Sequence, residues 1–430
     1  MTVKQKTILI DGYNLGLEKG TGVATYARNL SYEIHELGHR VSVLYGNSGG
    51  KNRDALMREV SFFDAGNERN GKVADLKRGL RALRGPAGYD AYEVPMTGRV
   101  ETRTFASRLP YFDALYNANE VFKSSNGSFQ IWNRSSIVNL PDQPDLAHWT
   151  YPLPIRVRGA PNLYTMHDLV PLKLPYTTLD VKQRYYKLIR LLADKADHIV
   201  TVSEHSRRDI IDLIGIPEDK VTNTYQSVSI PAKYRDKPEV EVAREVEGVT
   251  GFDYKNYFLF WGSLEPKKNI GRMIEAYMAS EVATPLVIIG AQAWKAQSEL
   301  ALLNEFRRGA SKRIVMLDYA PFSLLVSLIR GAKAALFPSL YEGFGLPALE
   351  AMLLQTPVIC SNTSSLPEIA GDAAEMVDPY DTGAITRAIR RLDADADRRA
   401  ELVEAGTAQA AKYSPERYRE RLSAVYGKFL

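Results

Sequence analysis

Short apolar runs alternate along this chain with longer segments whose apolar positions recur every three or four residues. Thr7-Ile-Leu-Ile-Asp11 reads as a buried strand, after which Val23, Ala27, Leu30, Ile34 and Leu37 share one helical face. Gly38 suits the end of that helix, and Arg40-Val-Ser-Val-Leu-Tyr45 reads as a second strand. Strand, glycine-containing loop, helix and strand in this order open a doubly wound parallel sheet. The alternation resumes with strands at 145–149, 162–166, 198–202 and 221–225, and with helices over about 180–195 and 204–213. Residues 229–250 hold Pro231, Pro238 and many charges with little apolar periodicity, and read as a linker. A second strand series then occupies 257–261, 285–290, 313–317, 334–338, 357–360 and 374–377. Ser414-Pro415-Glu416 supplies cap, first-turn proline and first-turn acid for a last helix. The expected fold class is α/β, with two Rossmann-like domains at 1–228 and 229–413 and a terminal helix at 414–430.

Residues 46–140 fit this rhythm least and read as an insertion in the first domain. Val73, Leu76, Leu80 and Leu83 share a helical face there, with Arg78 and Arg81 away from it. That pattern describes an ordinary surface helix packed by its apolar face, or a helix lying on anionic lipid. Aromatic residues from Phe105 to Trp132 suggest a packed segment facing an acceptor.

Length and composition narrow the class. A chain of 430 residues exceeds one typical core, which agrees with two domains. No apolar run is long enough to span a membrane, and the N-terminus lacks the apolar core of a signal peptide. The single cysteine, Cys360, lies in an apolar run and reads as a buried structural thiol. These features point to the cytoplasm. A net charge of +4 favours anionic ligands weakly and gives no indication of nucleic acid.

The chemistry concentrates in strand-end loops. Ser339-Leu-Tyr-Glu-Gly-Phe-Gly-Leu-Pro-Ala-Leu-Glu350 joins a strand end to a helix start through Gly343 and Gly345. Free N–H groups at such a start suit phosphate. Lys267 and Lys268 follow another strand of the same half, so ammonium groups and backbone N–H groups would together hold a diphosphate. Glu342 and Glu350 bracket that site, so one can face the reacting end of a ligand and the other a hydroxyl pair. The first half lacks the Gly-x-Gly-x-x-Gly fingerprint, since Thr25 replaces its third glycine, and this disfavours a nicotinamide cofactor. Asp393-Ala-Asp395-Ala-Asp397 lies in a charged helical segment away from these loops, and His/Cys metal spacing is absent.

The same residues resemble the retaining glycosyltransferases of family 4. Glu342 to Glu350 is similar to their Glu-x7-Glu motif. Gly20-Thr-Gly22 resembles their glycine loop, and Thr165-Met-His-Asp-Leu-Val-Pro171 their histidine loop. Thr201-Val-Ser-Glu-His-Ser-Arg-Arg-Asp209 and Trp261-Gly-Ser-Leu-Glu-Pro-Lys-Lys-Asn269 match two further segments in order. The resemblance implies a GT-B fold, two Rossmann-like domains facing a cleft, with the last helix crossing back to the first domain. It implies a nucleotide-sugar donor, no metal or other cofactor, and a glycan or lipid-linked saccharide acceptor. By the same resemblance His167, Lys268 and Glu342 are the expected catalytic group. Donor contacts fall to Gly22, Ser263, Lys267, Lys268, Glu342, Gly343, Phe344, Gly345, Leu346 and Glu350, with Glu350 on the ribose. Acceptor contacts fall to Gly20, Thr21, His167 and Asp168. Ser263 departs from the arginine that many relatives carry after the strand-end glycine, and Lys267 is expected to supply the charge.

The histidine and lysine loops resemble those of surface-polysaccharide mannosyltransferases, which implies mannose from GDP-mannose, used in polysaccharide or lipopolysaccharide synthesis. The implied location is cytoplasmic, with peripheral contact to an anionic membrane. A sugar-nucleotide epimerase of the same fold, and a catalytically silent scaffold subunit of a polysaccharide assembly complex, are the rival readings. The epimerase would need no acceptor, and the scaffold would release no nucleotide.

Overall fold

The computed structural model describes residues 5–16, 22–48, 52–64, 72–102, 109–291 and 313–430, with side chains of 72–77 left out. Two parallel sheets organise the chain. The first takes β1 (Thr7–Asp11), β2 (Arg40–Tyr45), β4 (Tyr92–Glu93), β5 (Ala114–Asn117), β7 (Leu146–Trp149), β9 (Asn162–Thr165), β10 (His198–Thr201) and β11 (Val221–Asn223), in the order β11-β10-β9-β7-β1-β2-β5-β4. The short strands β3 (Tyr89–Asp90), β6 (Ser136–Asn139) and β8 (Ile155–Val157) pair in a small separate sheet. The second large sheet takes β12 (Phe258–Trp261), β13 (Leu286–Ile289), β14 (Ile314–Leu317), β15 (Ala334–Phe337), β16 (Val358–Ser361) and β17 (Glu375–Val377), in the order β14-β13-β12-β15-β16-β17. Strands such as Phe-Leu-Phe-Trp and Ala-Ala-Leu-Phe are buried at every position, as strands covered on both faces must be.

Strand order also locates the binding crevices. In each large sheet the winding direction reverses once, between β1 and β7 and between β12 and β15. Loops leaving adjacent strands at such a switch point part to opposite faces and leave a crevice beyond the strand ends. The residues after β1, β7, β12 and β15 are therefore the places to look for ligands.

The terminal helix Pro415–Tyr426 begins on a Ser414 cap. It leans on the first sheet: the Tyr426 hydroxyl meets His148 Nδ1 at 2.7 Å, and Arg419 pairs with Glu33 at 2.8 Å. His148 is thus a core residue. Burial pushes its imidazole down to about 3, so it is neutral, and its Nε2 meets Thr165 Oγ1 at 2.8 Å.

Three expectations need correction. Residues 239–250 form the helix Glu239–Thr250, with Val242, Val246 and Thr250 buried, where a linker was expected. Their four-residue spacing is helical, but a charged sequence hides it. Residues 46–140, expected as an insertion in the first domain, also supply strands of its main sheet: β5 extends that sheet from β2, and β4 pairs antiparallel with β5. Strands of two to four residues are too short to show a period. Finally, the described side chains of the helix Lys72–Leu83 disagree with a surface helix packed by its Leu80 and Leu83 face, and leave the lipid-facing alternative open. Ala82 is buried where Gly127 leaves no Cβ in its way, and Arg78 and Arg81 pair with Glu120 at 3.0 and 2.5 Å. Leu80 and Leu83 are 57% and 49% exposed. Val73 and Leu76 fall outside the described side chains. Among the described residues no helix is long and apolar enough to cross a membrane.

Candidate active site

Two loops of the second sheet meet at its switch point. After β12 the chain turns through Pro266–Lys268 to Asn269, which sits at φ 60°. Asn269 Nδ2 donates to the carbonyls of Pro338 (2.9 Å) and Pro379 (2.8 Å), and Leu340 N–H donates to the Lys267 carbonyl (2.8 Å). These bonds tie the lysine loop to the end of β15 and bring Lys268 Nζ within 2.7 Å of Glu342 Oε1. Burial works against the Glu342 charge, but Lys268 and Lys267 outweigh it and hold the carboxyl below its usual range. Burial also opposes the Lys267 ammonium, which Asp168, Glu265 and Glu342 keep charged. Ser263 is exposed, and its hydroxyl donates to Glu265 at 3.2 Å.

The helix Leu346–Leu353 opens directly after Glu342. Gly345 has φ 105°, a left-handed conformation that favours glycine, and a Cβ there would strike Leu366 at 2.8 Å. Ser365 Oγ donates to the carbonyls of Glu342 and Phe344. The N–H groups of Gly343, Phe344 and Gly345 donate to no other described residue outside the helix. A turn with its carbonyls occupied and its N–H groups open at a helix start is built for an anion. Phe344 contributes only backbone to this, because its side chain is buried edge-on against Tyr413. Leu346 is half-buried at the first helical position. Glu350, one turn on, is half-buried and accepts from Trp261 Nε1 at 3.2 Å. Burial pushes its carboxyl up to about 7.

The first sheet closes over this turn. A Cβ on Gly343 would come within 2.8 Å of the His167 carbonyl and 3.0 Å of Asp168 Oδ2, so only glycine permits the approach. His167 Nε2 lies 2.9 Å from the Thr150 carbonyl, which can only accept. The proton therefore sits on Nε2. Burial favours the neutral ring, against the Thr150 carbonyl and Asp168, and leaves Nδ1 as an acceptor. Tyr26 meets the imidazole edge-on at 4.8 Å. Ser203 caps the helix Glu204–Ile214 and also donates to the Gly343 carbonyl at 2.7 Å. Gly22 opens the first helix in open space, and Gly20 and Thr21 lie outside the described residues.

Three residues that sequence reasoning gave no role also sit here. Glu368 accepts from the N–H groups of Glu204 (2.8 Å) and His205 (3.1 Å), so a carboxylate of the second sheet's unit holds a helix start of the first. Asp209 receives Tyr341 Oη at 2.6 Å and Lys173 Nζ at 2.8 Å. Buried Asp11 accepts the N–H of Thr150 (2.5 Å) and of Tyr13 (3.2 Å), and burial pushes its carboxyl up to about 6. Only Asp209 lay in a recognisable motif. The other two depend on long-range contacts that no local pattern shows.

The site thus has a cationic floor with open N–H groups, a carboxylate on that cation, and a neutral histidine opposite. Profiles of known families fit this layout. The profile for "Glycosyl transferases group 1" matches residues 244–409, and that for "Glycosyltransferase Family 4" matches residues 103–229. The O-antigen chain mannosyltransferase B of Escherichia coli is 34% identical over 270 residues, spanning 61% of this chain and 69% of that protein. The chain belongs to glycosyltransferase family 4. This family 4 glycosyltransferase also resembles the serotype-specific mannosyltransferase WbdA of Escherichia coli, at 30% identity over 258 residues, but spans only 31% of that longer relative. Among solved structures, sucrose-phosphate synthase of Thermosynechococcus elongatus aligns over 99% of both chains with a TM-score of 0.66 at 15% identity. Anabaena HepE in complex with UDP and glucose aligns over 99% of this chain and 100% of its own, with a TM-score of 0.66 at 13% identity. These likenesses establish the GT-B fold, and the enzyme is a glycosyltransferase.

Proposed function

We propose that this enzyme moves mannose from GDP-mannose to a saccharide acceptor, with retention of anomeric configuration and without a metal ion. The observation that carries the reading is Lys268, a buried cation beside the open N–H groups of Gly343 to Gly345 at a switch point. A diphosphate in this place would receive an ammonium on one side and backbone N–H groups on the other. Both contacts strengthen as the departing diphosphate gains charge. The bond from the anomeric carbon to the diphosphate breaks while the acceptor oxygen bonds to that carbon on the same face. The acceptor proton passes to a donor phosphate oxygen. Glu342 stabilises positive charge at the sugar, Glu350 accepts from the ribose hydroxyls, and His167 Nδ1 accepts from a hydroxyl near the reacting carbon. Similarity to O-antigen chain mannosyltransferase B and to the serotype-specific mannosyltransferase WbdA supports mannose as the sugar, and GDP is the nucleotide this reading assigns to it.

The reading extends to a lipid-linked acceptor in polysaccharide or lipopolysaccharide synthesis at the cytoplasmic membrane face. Leu80 and Leu83, exposed side by side at one-turn spacing, support peripheral contact through apolar insertion, since Arg78 and Arg81 are engaged by Glu120. Sedimentation with lipid vesicles tests this arm; equal recovery of the protein and its Leu80→Ser/Leu83→Ser variant would remove it. A thermal-shift series with GDP, UDP, ADP and dTDP tests the donor. GDP is expected to raise the transition most, because binding to the folded state stabilises it by mass action. A larger shift with another nucleotide would overturn the choice of GDP, and no shift with any would overturn the donor site.

A further inference from the structure

Two tyrosines straddle the other switch point. Tyr13 follows β1 and Tyr151 follows β7, adjacent strands from which the first sheet winds in opposite directions. Their rings lie 5.8 Å apart at an interplanar angle of 30°. Buried Phe122 meets the Tyr13 ring edge-on at 5.3 Å and supports it from behind. Asp11 fixes both loops, through Tyr13 N–H and through the N–H of Thr150, the neighbour of Tyr151. Thr150 is also the residue whose carbonyl orients His167. The pair is therefore rigidly joined to the candidate reaction centre.

Core tyrosines of the same sheet behave differently. Tyr164 and Tyr26 are 2% and 1% exposed, and their hydroxyls bond the Ile155 carbonyl (2.5 Å) and Thr165 Oγ1 (2.9 Å). Tyr13 and Tyr151 are half-buried, and neither hydroxyl bonds another described residue. Among the described residues, the charged groups acting on these two phenols are the carboxylates Asp11, Asp168 and Asp180. Lys267 and Lys268 belong to the loop after β12, and Asp168 acts on Lys267 as well as on Tyr151.

We propose that Tyr13 and Tyr151 form an acceptor subsite for an uncharged sugar ring, with Asp168 and Asp180 receiving its hydroxyls. Partly accessible aromatic rings offer a negative face to the electropositive C–H groups of a pyranose. Carboxylates accept hydroxyl hydrogen bonds strongly. The same carboxylates repel a phosphorylated or carboxylated sugar. The subsite thus adds an aromatic, acidic wall to the cleft, with Asp168 where that wall meets the lysine loop and the Gly343 turn. The word acceptor rests on the transfer reading above; the affinity for a neutral sugar does not.

Saturation-transfer-difference NMR on the full chain without donor tests this, with methyl α-mannoside, methyl α-glucoside and glucose 6-phosphate as probes. Transfer to the ring C–H protons of a neutral glycoside is expected, with binding at least about fivefold weaker in Tyr13→Ala and Tyr151→Ala, each alanine removing one stacked ring. Tyr151→Phe keeps the ring and should bind within about twofold. If Tyr151→Ala does not fold, Tyr151→Leu and Tyr13→Ala give the same readout, with thermal unfolding as the check. Unchanged binding in folded variants without the rings, tighter binding of glucose 6-phosphate, or no transfer to any neutral glycoside would overturn the subsite. A GDP thermal shift measured on the same samples reports separately on the donor site.

Discussion

The ammonium of Lys268 lies 2.7 Å from the carboxylate of Glu342, and the two side chains are 11% and 10% exposed. A diphosphate that takes Lys268 must therefore share it with, or win it from, Glu342. The carboxylate satisfies the cation and, in the proposed reaction, would weaken its hold on product.

Replacing Glu342 with Gln should separate these roles. GDP is expected to bind roughly tenfold tighter, since a competing charge-assisted bond of about 1.5–3 kcal/mol is lost. Transfer is expected to slow, since no carboxylate faces the charged sugar. Calorimetric titration of GDP beside initial-rate measurements checks both; weaker GDP binding would contradict the competition.

Removing Lys268 has a different signature. Lys268→Met leaves Glu342 buried without its nearest cation, at a stability cost of roughly 3–5 kcal/mol if Lys267 does not compensate. Turnover should fall by about 10²–10³, the usual loss for one group that stabilises developing charge. Denaturant unfolding and rate assays on one preparation distinguish the two effects.

Glu350 should make nucleotide binding pH-dependent. Its carboxyl is pushed up to about 7, so it is largely ionised at pH 8 and largely protonated at pH 6. Ribose hydroxyls donate best to the ionised form. GDP affinity should fall as pH drops through 7, by up to about tenfold per unit below it, and Glu350→Gln should flatten the profile. Stability runs the other way: the folded chain keeps this proton longer than the unfolded one, so the Glu350 contribution falls as pH rises from 4.5 to about 7.

Tyr426→Phe tests the terminal helix. It strips buried His148 Nδ1 of its 2.7 Å partner, for an expected loss of about 1–3 kcal/mol in unfolding free energy. A variant as stable as the parent would show that the helix holds the first sheet by Arg419 and apolar packing alone.

Strands of the two large sheets were readable because parallel strands covered on both faces are continuous apolar runs, as in Phe258–Trp261. The lysine loop and the glycine turn were readable because glycine, proline and lysine mark strand ends and helix starts within a few residues, as from Glu342 to Pro347. The proposed acceptor wall was hidden. Tyr13 and Tyr151 are 138 positions apart and resemble any other half-buried aromatics until sheet order puts β1 beside β7. Asp11 looked like the last residue of a strand, and its partner Thr150 is 139 positions away. Helix Lys72–Leu83 misled because periodicity gives the apolar face of a helix but not the face that is buried. Here an ion pair with Glu120 and the small Gly127 decide the docking.

The most direct test of the account is the anomeric outcome of transfer from GDP-α-mannose to a mannosyl acceptor, followed by proton NMR in EDTA. The account predicts GDP release matched by an α-linked mannoside, with rates unchanged by the chelator. A β-linked product, or transfer that stops in EDTA and returns with added divalent metal, would contradict it.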